Sequence, residues 1–353
     1  MQVVNETTGQ LKIHGWAKHP NKLTYDTSFF KGDWPILSRQ KQWNYFYVVN
    51  DDYLVTMAHT NLGVIKASYI NILQIGGDYN VTETVVEDYF GQHVYIDTTT
   101  ECSKKTSDFL SLTSRVNHPT LNMKFMKRDG EKDVKVDFTS NTDSHTISGK
   151  LTGSNFSEGI TQIDNFKGDE KFHSFNTKLL VDFLGDIQLN GNTIMSCTKS
   201  KRCYGLHDNG RSFGTYMNTW VWGTTTFEVK AAKKSSKVGI NISLAEKGQE
   251  SSGDALWVDD KIYKLDSLVV KKVTDDEWKI SVAKVPHPKY PKNKFTGTFK
   301  VANRHKINKN MIAIEIDFNS NFGYFSGEIE TADGHKLAFK DKFGFVEEMF
   351  SRW

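Results

Sequence analysis

The chain has 353 residues, a formal net charge of +3, 38% hydrophobic and 25% charged residues. That composition is of a soluble globular protein with room for one large or two medium domains, and it excludes a disordered chain. The charge is too small to argue a partner by itself. No apolar stretch approaches the ~20 residues of a membrane-spanning helix, and Met1–Glu6 has neither the basic region nor the apolar run of a signal peptide.

Aromatic residues make up 12% of the chain and favour strands. In chain order, Ser28–Ser38 carries a weak helical pattern. Trp43–Val49, the turn Asn50-Asp51-Asp52 and Tyr53–His59 then read as a hairpin. Val64–Ile75 alternates apolar and small residues and breaks at Gly76-Gly77. A second weak helical pattern spans Thr106–Ser114, followed by clean alternation in Val134–Phe138 and Asn310–Phe318. Turn pairs recur at Asp129-Gly130, Asn190-Gly191, Asn209-Gly210 and Asp333-Gly334. Short strands punctuated by turns predict an all-β chain of antiparallel sandwiches or barrels. One barrel rarely needs this length, so two tandem barrel-like domains are expected, 1–165 and 166–353. Their boundary is placed in the polar, Gly-containing segment Ser157–Glu170.

The three cysteines are Cys102, Cys197 and Cys203. A sparse, odd count fits a reducing, cytoplasmic compartment, with packing thiols expected rather than a Cys197–Cys203 pair. Lys279–Asn310 holds nine Lys/Arg and no Asp or Glu. The bland account is a solvated face. The sharper one is a dock for an acidic protein surface, an anionic lipid headgroup or, least favoured, a nucleic acid, through Lys289, Lys292, Lys294, Arg304 and Lys306. No specific nucleic-acid motif accompanies it.

No zinc, P-loop, dinucleotide or nucleophile-elbow spacing is present, and Asp129–Asp133 lacks the glycine that a calcium loop requires, so no cofactor or metal is expected. The candidate site is therefore Asp208-Asn209-Gly210-Arg211, read as a turn, with the strand that follows it. If that strand is extended, Tyr216, Asn218, Trp220 and Trp222 share one face. Arg211 could clamp an anion or pair with Asp208 and pin a barrel end. Asn218 on an aromatic face needs a hydrogen-bond partner, which a ligand or the backbone could supply. Trp43 and Tyr45 complete the candidate lining. Asp208 and Glu347 are the acids that could protonate an alkene in such a cavity. Three functions follow: binding of a small apolar or amphipathic, lipid- or isoprenoid-like ligand, which is preferred; a scaffold docking through the basic run; and a cofactor-free hydratase, isomerase or cyclase.

Several segments resemble a known family. Gly9-Gln10-Leu11, His14–Ala17 and Trp43–Phe46 are similar to the start of DUF2804 proteins. That family has an Asp-Trp-Gly-Arg-Gly-like motif and then an aromatic strand ending in Trp-x-Trp, matched here by Asp208–Gly223. Its C-terminal pattern is matched by Asn321–Gly327, Asp333-Gly334, Gly344–Glu347 and Arg352-Trp353. Asn209 stands where the family has Trp, and Ser212 where it has the second Gly, which sets aside any activity needing an indole at that point. The resemblance implies a tandem, lipocalin-like (calycin) barrel architecture, since the family is distantly similar to two-barrel proteins that include carotenoid hydratases and pericyclic cyclases. It implies no particular reaction.

Overall fold

Strands account for every regular element among the described residues of the computed structural model. Those residues are 1–5, 7–19, 21, 23, 25, 39–63, 65–78, 81–96, 112–127, 131, 133–166, 169–230, 235–244, 253–265, 267–282, 293–311 and 314–352. The chain divides into two compact units, Met1–Gly214 and Thr215–Trp353.

The first unit holds β1 (Gly15–His19), β2 (Gln40–Val49), β3 (Tyr53–Asn61), β4 (Lys66–Gln74), β5 (Val81–Asp88), β6 (Val94–Ile96), β7 (Leu112–His118), β8 (Leu121–Lys127), β9 (Asp133–Asn141), β10 (Thr146–Asn155), β11 (Gly159–Phe166), β12 (Asp169–Leu189), β13 (Asn192–Cys197) and β14 (Cys203–Phe213). They form one antiparallel sheet in the order β5-β4-β3-β2-β14-β12-β10-β9-β8-β7-β6, with β11 and β13 attached to β12 and β1 paired with β11. The sheet curls until β6 returns onto β2, β3 and β4 and β5 approaches β8. Thr84 Oγ1 ties that seam to Ser140 Oγ at 2.7 Å and to His145 Nε2 at 2.8 Å.

The reason for the curl is visible in the alternation. In β9 every second residue is buried, and Val134, Val136 and Phe138 face inward. Cross-strand partners share a face, so the inner face also collects Phe46, Val48, Met57, Ile70, Met123, Phe125, Leu151 and Phe183 into one core. β12 runs past this core at its N-terminal end. There β11 replaces β10 as its neighbour, and Val3, Val4, Leu11, Tyr25, Ile163, Phe175 and Phe213 form a second, smaller core.

The second unit holds β15 (Met217–Lys230), β16 (Ser235–Leu244), β17 (Ala255–Val258), β18 (Lys261–Lys264), β19 (Leu268–Lys272), β20 (Glu277–Val282), β21 (Lys294–Met311), β22 (Ile314–Glu330) and β23 (Lys336–Arg352). Their order is β18-β17-β16-β15-β23-β22-β21-β20-β19, and β16 packs back on β19. Phe227, Ile240, Ile242, Trp278, Phe299, Phe325 and Val346 fill the concave side. The two antiparallel sheets are thus curled into a near-barrel and a half-barrel.

Several expectations change. Ser157–Glu170 is not a linker: it runs through β11 into β12, which pair with each other, and the compact units meet at Gly214/Thr215. Asn209-Gly210 is no turn but the middle of β14, flanked by β12 and β2. Asn190-Gly191 does turn the chain, with φ of 51° and 77°, between β12 and β13. Asn310–Phe318 is two strands, because β21 ends at Met311 and β22 starts at its partner Ile314. Within Thr106–Ser114, residues 112–114 are strand; the remainder, and Ser28–Ser38, lie outside the described residues. Cys197 and Cys203 are joined by a disulfide across the β13–β14 turn, with Cα atoms 5.3 Å apart. Both strands pair with β12, Cys197 opposite Gly185 and Cys203 opposite Phe183, which brings the cysteines together, and spacing alone could not show that.

Candidate functional site

Putting Asp208 and Arg211 on one strand separates them. They are an odd number of residues apart, so their side chains leave opposite faces of the sheet. Asp208 lies on the outer face, opposite Tyr45 on β2 and Lys178 on β12. Its Oδ2 accepts from Lys178 Nζ at 2.5 Å and its Oδ1 from Trp43 Nε1 at 3.0 Å. Asp208 and Lys178 are both buried. Trp43 reaches Asp208 by lying across Gly210, where an added Cβ would stand 2.1 Å from the indole Cζ2. The structure therefore brings Trp43, Tyr45 and Asp208 together, and adds Lys178, which the sequence did not single out.

Glu347, Asn218, Trp220 and Trp222 form a separate group in the second unit. They share the face of β15 and β23 turned away from that unit's core, with Glu347 directly opposite Trp222. Trp222 is buried, packs edge-on against Phe345 at 5.2 Å, and donates from Nε1 to Asn241 Oδ1 at 2.8 Å. Trp220 is 36% exposed and Tyr216 47%. The Asn218 Oδ1 is buried without a hydrogen-bond partner. In the basic run, Lys294 pairs with Glu330 at 3.4 Å and Arg304 with Asp276 at 2.7 Å, while Lys306 is exposed on β21. Lys289 and Lys292 lie outside the described residues.

Arg211 belongs to the inner face of the first unit, and that face carries a polar band. Thr161, Thr177, Asn209, Asn44, His59 and Ser68 stand in register across β11, β12, β14, β2, β3 and β4. They are bonded to one another along the row. Thr161 and Thr177 hydroxyls are 3.2 Å apart, Asn209 Nδ2 donates to Asn44 Oδ1, and His59 Nδ1 meets Ser68 Oγ at 2.6 Å. Asn21 Nδ2 caps the row by donating to Thr161 Oγ1 at 2.8 Å. One register step to one side lie Gln42 and Arg211, which oppose each other; one step to the other lie His19 and His207.

Where the band meets the apolar core, Phe46 and Phe125 are the hinge of the arrangement, 4.8 Å apart at their centroids. His207 stacks on Phe46 at 4.2 Å, His59 lies 4.4 Å from Phe125, and Ser114 is the cross-strand neighbour of Phe125. Three polar atoms here are buried with no hydrogen-bond partner, His59 Nε2, Ser114 Oγ and His207 Nε2; Gln42 Nε2, also unpartnered, lies across the band opposite Arg211. Burial pushes His59 down to about 3. Burial, then the nearby Lys127 and His19, push His207 down to about 3 as well. Both rings are therefore neutral at ordinary pH, each with one donor and one acceptor nitrogen. Lys127 is itself lowered to about 8 by burial, against the pull of Asp133.

Beyond Arg211 the band ends in a closed chain of bonds. Tyr25 O–H donates to His173 Nδ1 at 2.7 Å, and His173 Nε2 donates to the Gly9 carbonyl at 3.0 Å. Burial lowers His173 to about 4 and raises Tyr25, the nearby Arg211 acting against the latter. Among the described residues no group of three or more His, Cys, Asp or Glu could hold a metal ion. A surface hollow of about 380 Å³ lined by Lys135, Asp137, Lys150 and Leu184 lies on the outer side of β9, β10 and β12, away from the band.

Of the band, only Asn209 and Arg211 were legible beforehand. The available signal was polar residues at every second position, Gln42/Asn44 and His207/Asn209/Arg211, within strands that are otherwise apolar or aromatic.

The molecule is thus an all-β protein of barrel type, with a polar band inside its first curled sheet. The family model described as domain of unknown function (DUF2804) matches residues 2–353, and the chain belongs to that family. No curated protein matches it. Among solved structures it is similar to CghA with Sch210972, at 11% identity over 88% of this chain and 87% of that one, TM-score 0.52. CghA alone is similar at 12% identity with the same coverage and TM-score. A putative ATTH (NE1406) from Nitrosomonas europaea matches at 10% identity over 88% and 92% of the two chains, with TM-score 0.45. At such identities the CghA likeness speaks to the fold. No described helix is long and apolar enough to cross a membrane.

Proposed function

We propose that the first unit binds a small apolar or amphipathic molecule, lipid- or isoprenoid-like, against the inner face of its sheet, without chemistry on it. One observation carries this reading: His59 Nε2, Ser114 Oγ and His207 Nε2 are buried and unpartnered where a polar band borders an apolar core, and Gln42 Nε2 is likewise unpartnered on the other side of the band, opposite Arg211. A buried polar group left unbonded costs about 1–3 kcal/mol. Four of them together are a standing cost that an occupant with its own polar end would offset, and a mostly apolar pocket with a few convergent polar groups is the usual form of a ligand site. The fold is compatible with this, since the similar CghA is described with Sch210972.

Native mass spectrometry of protein purified without delipidation, with tryptophan-fluorescence titrations by long-chain ligands of differing head group, tests the proposal. A co-purifying adduct or saturable quenching is expected. Neither, across the whole panel, refutes it.

The two other readings have less behind them. Acid catalysis through Asp208 needs a proton donor, whereas Asp208 is ion-paired with Lys178 and accepts from Trp43; Glu347 would then be the acid. Docking through the basic run is weakened because Lys294 and Arg304 already have acidic partners.

A further inference from the structure

The exposed large apolar side chains of the first unit concentrate around one loop. Between β5 and β6, residues 89–93 carry Tyr89 and Phe90, which are 55% and 87% exposed, and the flanking strands add Val85 at 43% and Tyr95 at 48%. Val85 and Tyr95 point outward, since they alternate with Val86, Val94 and Ile96 of the core. Ligand binding on the inner face uses none of these residues.

The loop is held in shape while its tip stays bare. Asp88, buried at the end of β5, accepts from the backbone N–H groups of Gln92, His93 and Val94 at 3.0, 2.8 and 2.8 Å. Gly91 turns the chain with a φ of 69°. Lys66 Nζ donates to the Val94 carbonyl at 3.2 Å, and His93 Nδ1 to the Asn117 carbonyl at 3.0 Å. Tyr89 O–H donates to Glu87 Oε2 at 2.9 Å. These bonds fix the backbone and occupy both carboxylates beside the tip, and they leave the Phe90 ring outside. Tyr89–Gln92 carries no charge. The cations beside it are Lys66 and Arg115, whose guanidinium lies 5.4 Å over the Tyr95 ring. An apolar group displayed on an ordered loop loses little conformational freedom when it docks.

We infer that this loop docks on the interfacial layer of a phospholipid bilayer, with Phe90 entering the acyl boundary and Tyr89 and Tyr95 at the level of the head groups, beside Lys66 and Arg115. Size decides between a bilayer and a protein partner. At their exposures the four side chains leave on the order of 400 Å² of apolar surface uncovered, about half of the ~800 Å² that each side of a specific protein interface buries. A bilayer requires no matching surface and accepts a single projecting ring. Tyrosine, apolar in its body and polar at its tip, belongs at the membrane–water boundary, and ammonium and guanidinium groups there meet lipid phosphates. The inference stands apart from the ligand-binding reading, because it concerns the outer side of the sheet and holds whatever the inner face carries.

Flotation of the full chain with vesicles of phosphatidylcholine, alone and mixed with phosphatidylserine, tests this on the unmodified protein and on Phe90→Ser, Tyr89→Ser/Phe90→Ser and Phe90→Trp. Both positions are exposed, so the variants should keep the circular dichroism and unfolding midpoint of the parent. The parent should float with both kinds of vesicle. Phe90→Ser should weaken binding about tenfold or more, the double variant should weaken it further, and Phe90→Trp should retain it. No flotation with either vesicle overturns the inference. Binding that needs phosphatidylserine and is unchanged in Phe90→Ser overturns insertion of the tip. Self-association in analytical ultracentrifugation that is lost in Phe90→Ser assigns the tip to a second copy of the chain and overturns the bilayer.

Discussion

Removing one partner of the Lys178–Asp208 pair should destabilise the first unit more than removing both. The two are 2.5 Å apart with side chains 3% and 5% exposed, so each charge has little water to fall back on. In Lys178→Met the Asp208 carboxylate keeps Trp43 as a donor and loses its cation; in Asp208→Asn the ammonium is left facing a neutral amide. Breaking a buried pair in this way costs about 3–5 kcal/mol, whereas apolar replacement of both partners is often near neutral. Urea unfolding followed by circular dichroism measures this. Each single variant should lower the midpoint sharply, and Lys178→Met/Asp208→Leu should recover most of the loss. The reasoning fails if either single change costs under about 1 kcal/mol, or if the double variant falls by the sum of the two.

Gly210→Ala should displace the Trp43 indole, since the new Cβ would stand 2.1 Å from it. A cost of about 1–3 kcal/mol with a shifted tryptophan emission is expected, and an unchanged emission spectrum counts against the geometry. Stability should fall as pH is lowered. His59 and His207 are held at about 3 and His173 at about 4, so below the ordinary value the unfolded chain takes up protons that the fold does not. Between about pH 7 and pH 5 each histidine removes on the order of 2 kcal/mol, and a flat unfolding profile over that range would contradict it. Reducing the disulfide opens a loop with sequence separation 6 and should cost about 2 kcal/mol, visible as a lower midpoint with dithiothreitol.

Much of the fold was legible because strand alternation is local. The hairpin of β2 and β3, the run of β9 and the turn at Asn190-Gly191 follow from residue types within a few positions of one another. The reading of Asn209-Gly210 as a turn failed for a physical reason. An Asn-Gly pair favours a tight turn when nothing else competes, but here Gly210 is needed so that Trp43 can lie flat across β14 and reach Asp208. Asn310–Phe318 misled likewise, since alternation continues across the connection between β21 and β22, whose ends pair as Met311 with Ile314.

The site was harder because β2 and β14 are buried on both faces. In such strands alternation shows that the faces differ and not which one is inside. Trp43 and Tyr45 looked like part of an interior wall, yet Phe46 and Val48 belong to the core and those two aromatics lie on the other face. The sequence by itself determined an antiparallel all-β chain carrying motifs that resemble DUF2804, and of the inner polar groups it singled out Asn209 and Arg211 but not Gln42, Asn44 or His207. Only the curl of the sheet decided which of them meet. Closing β6 onto β2, β3 and β4 brings His59, Ser114 and His207 around Phe46 and Phe125 from strands far apart in sequence, and it sends Asp208 to the other face.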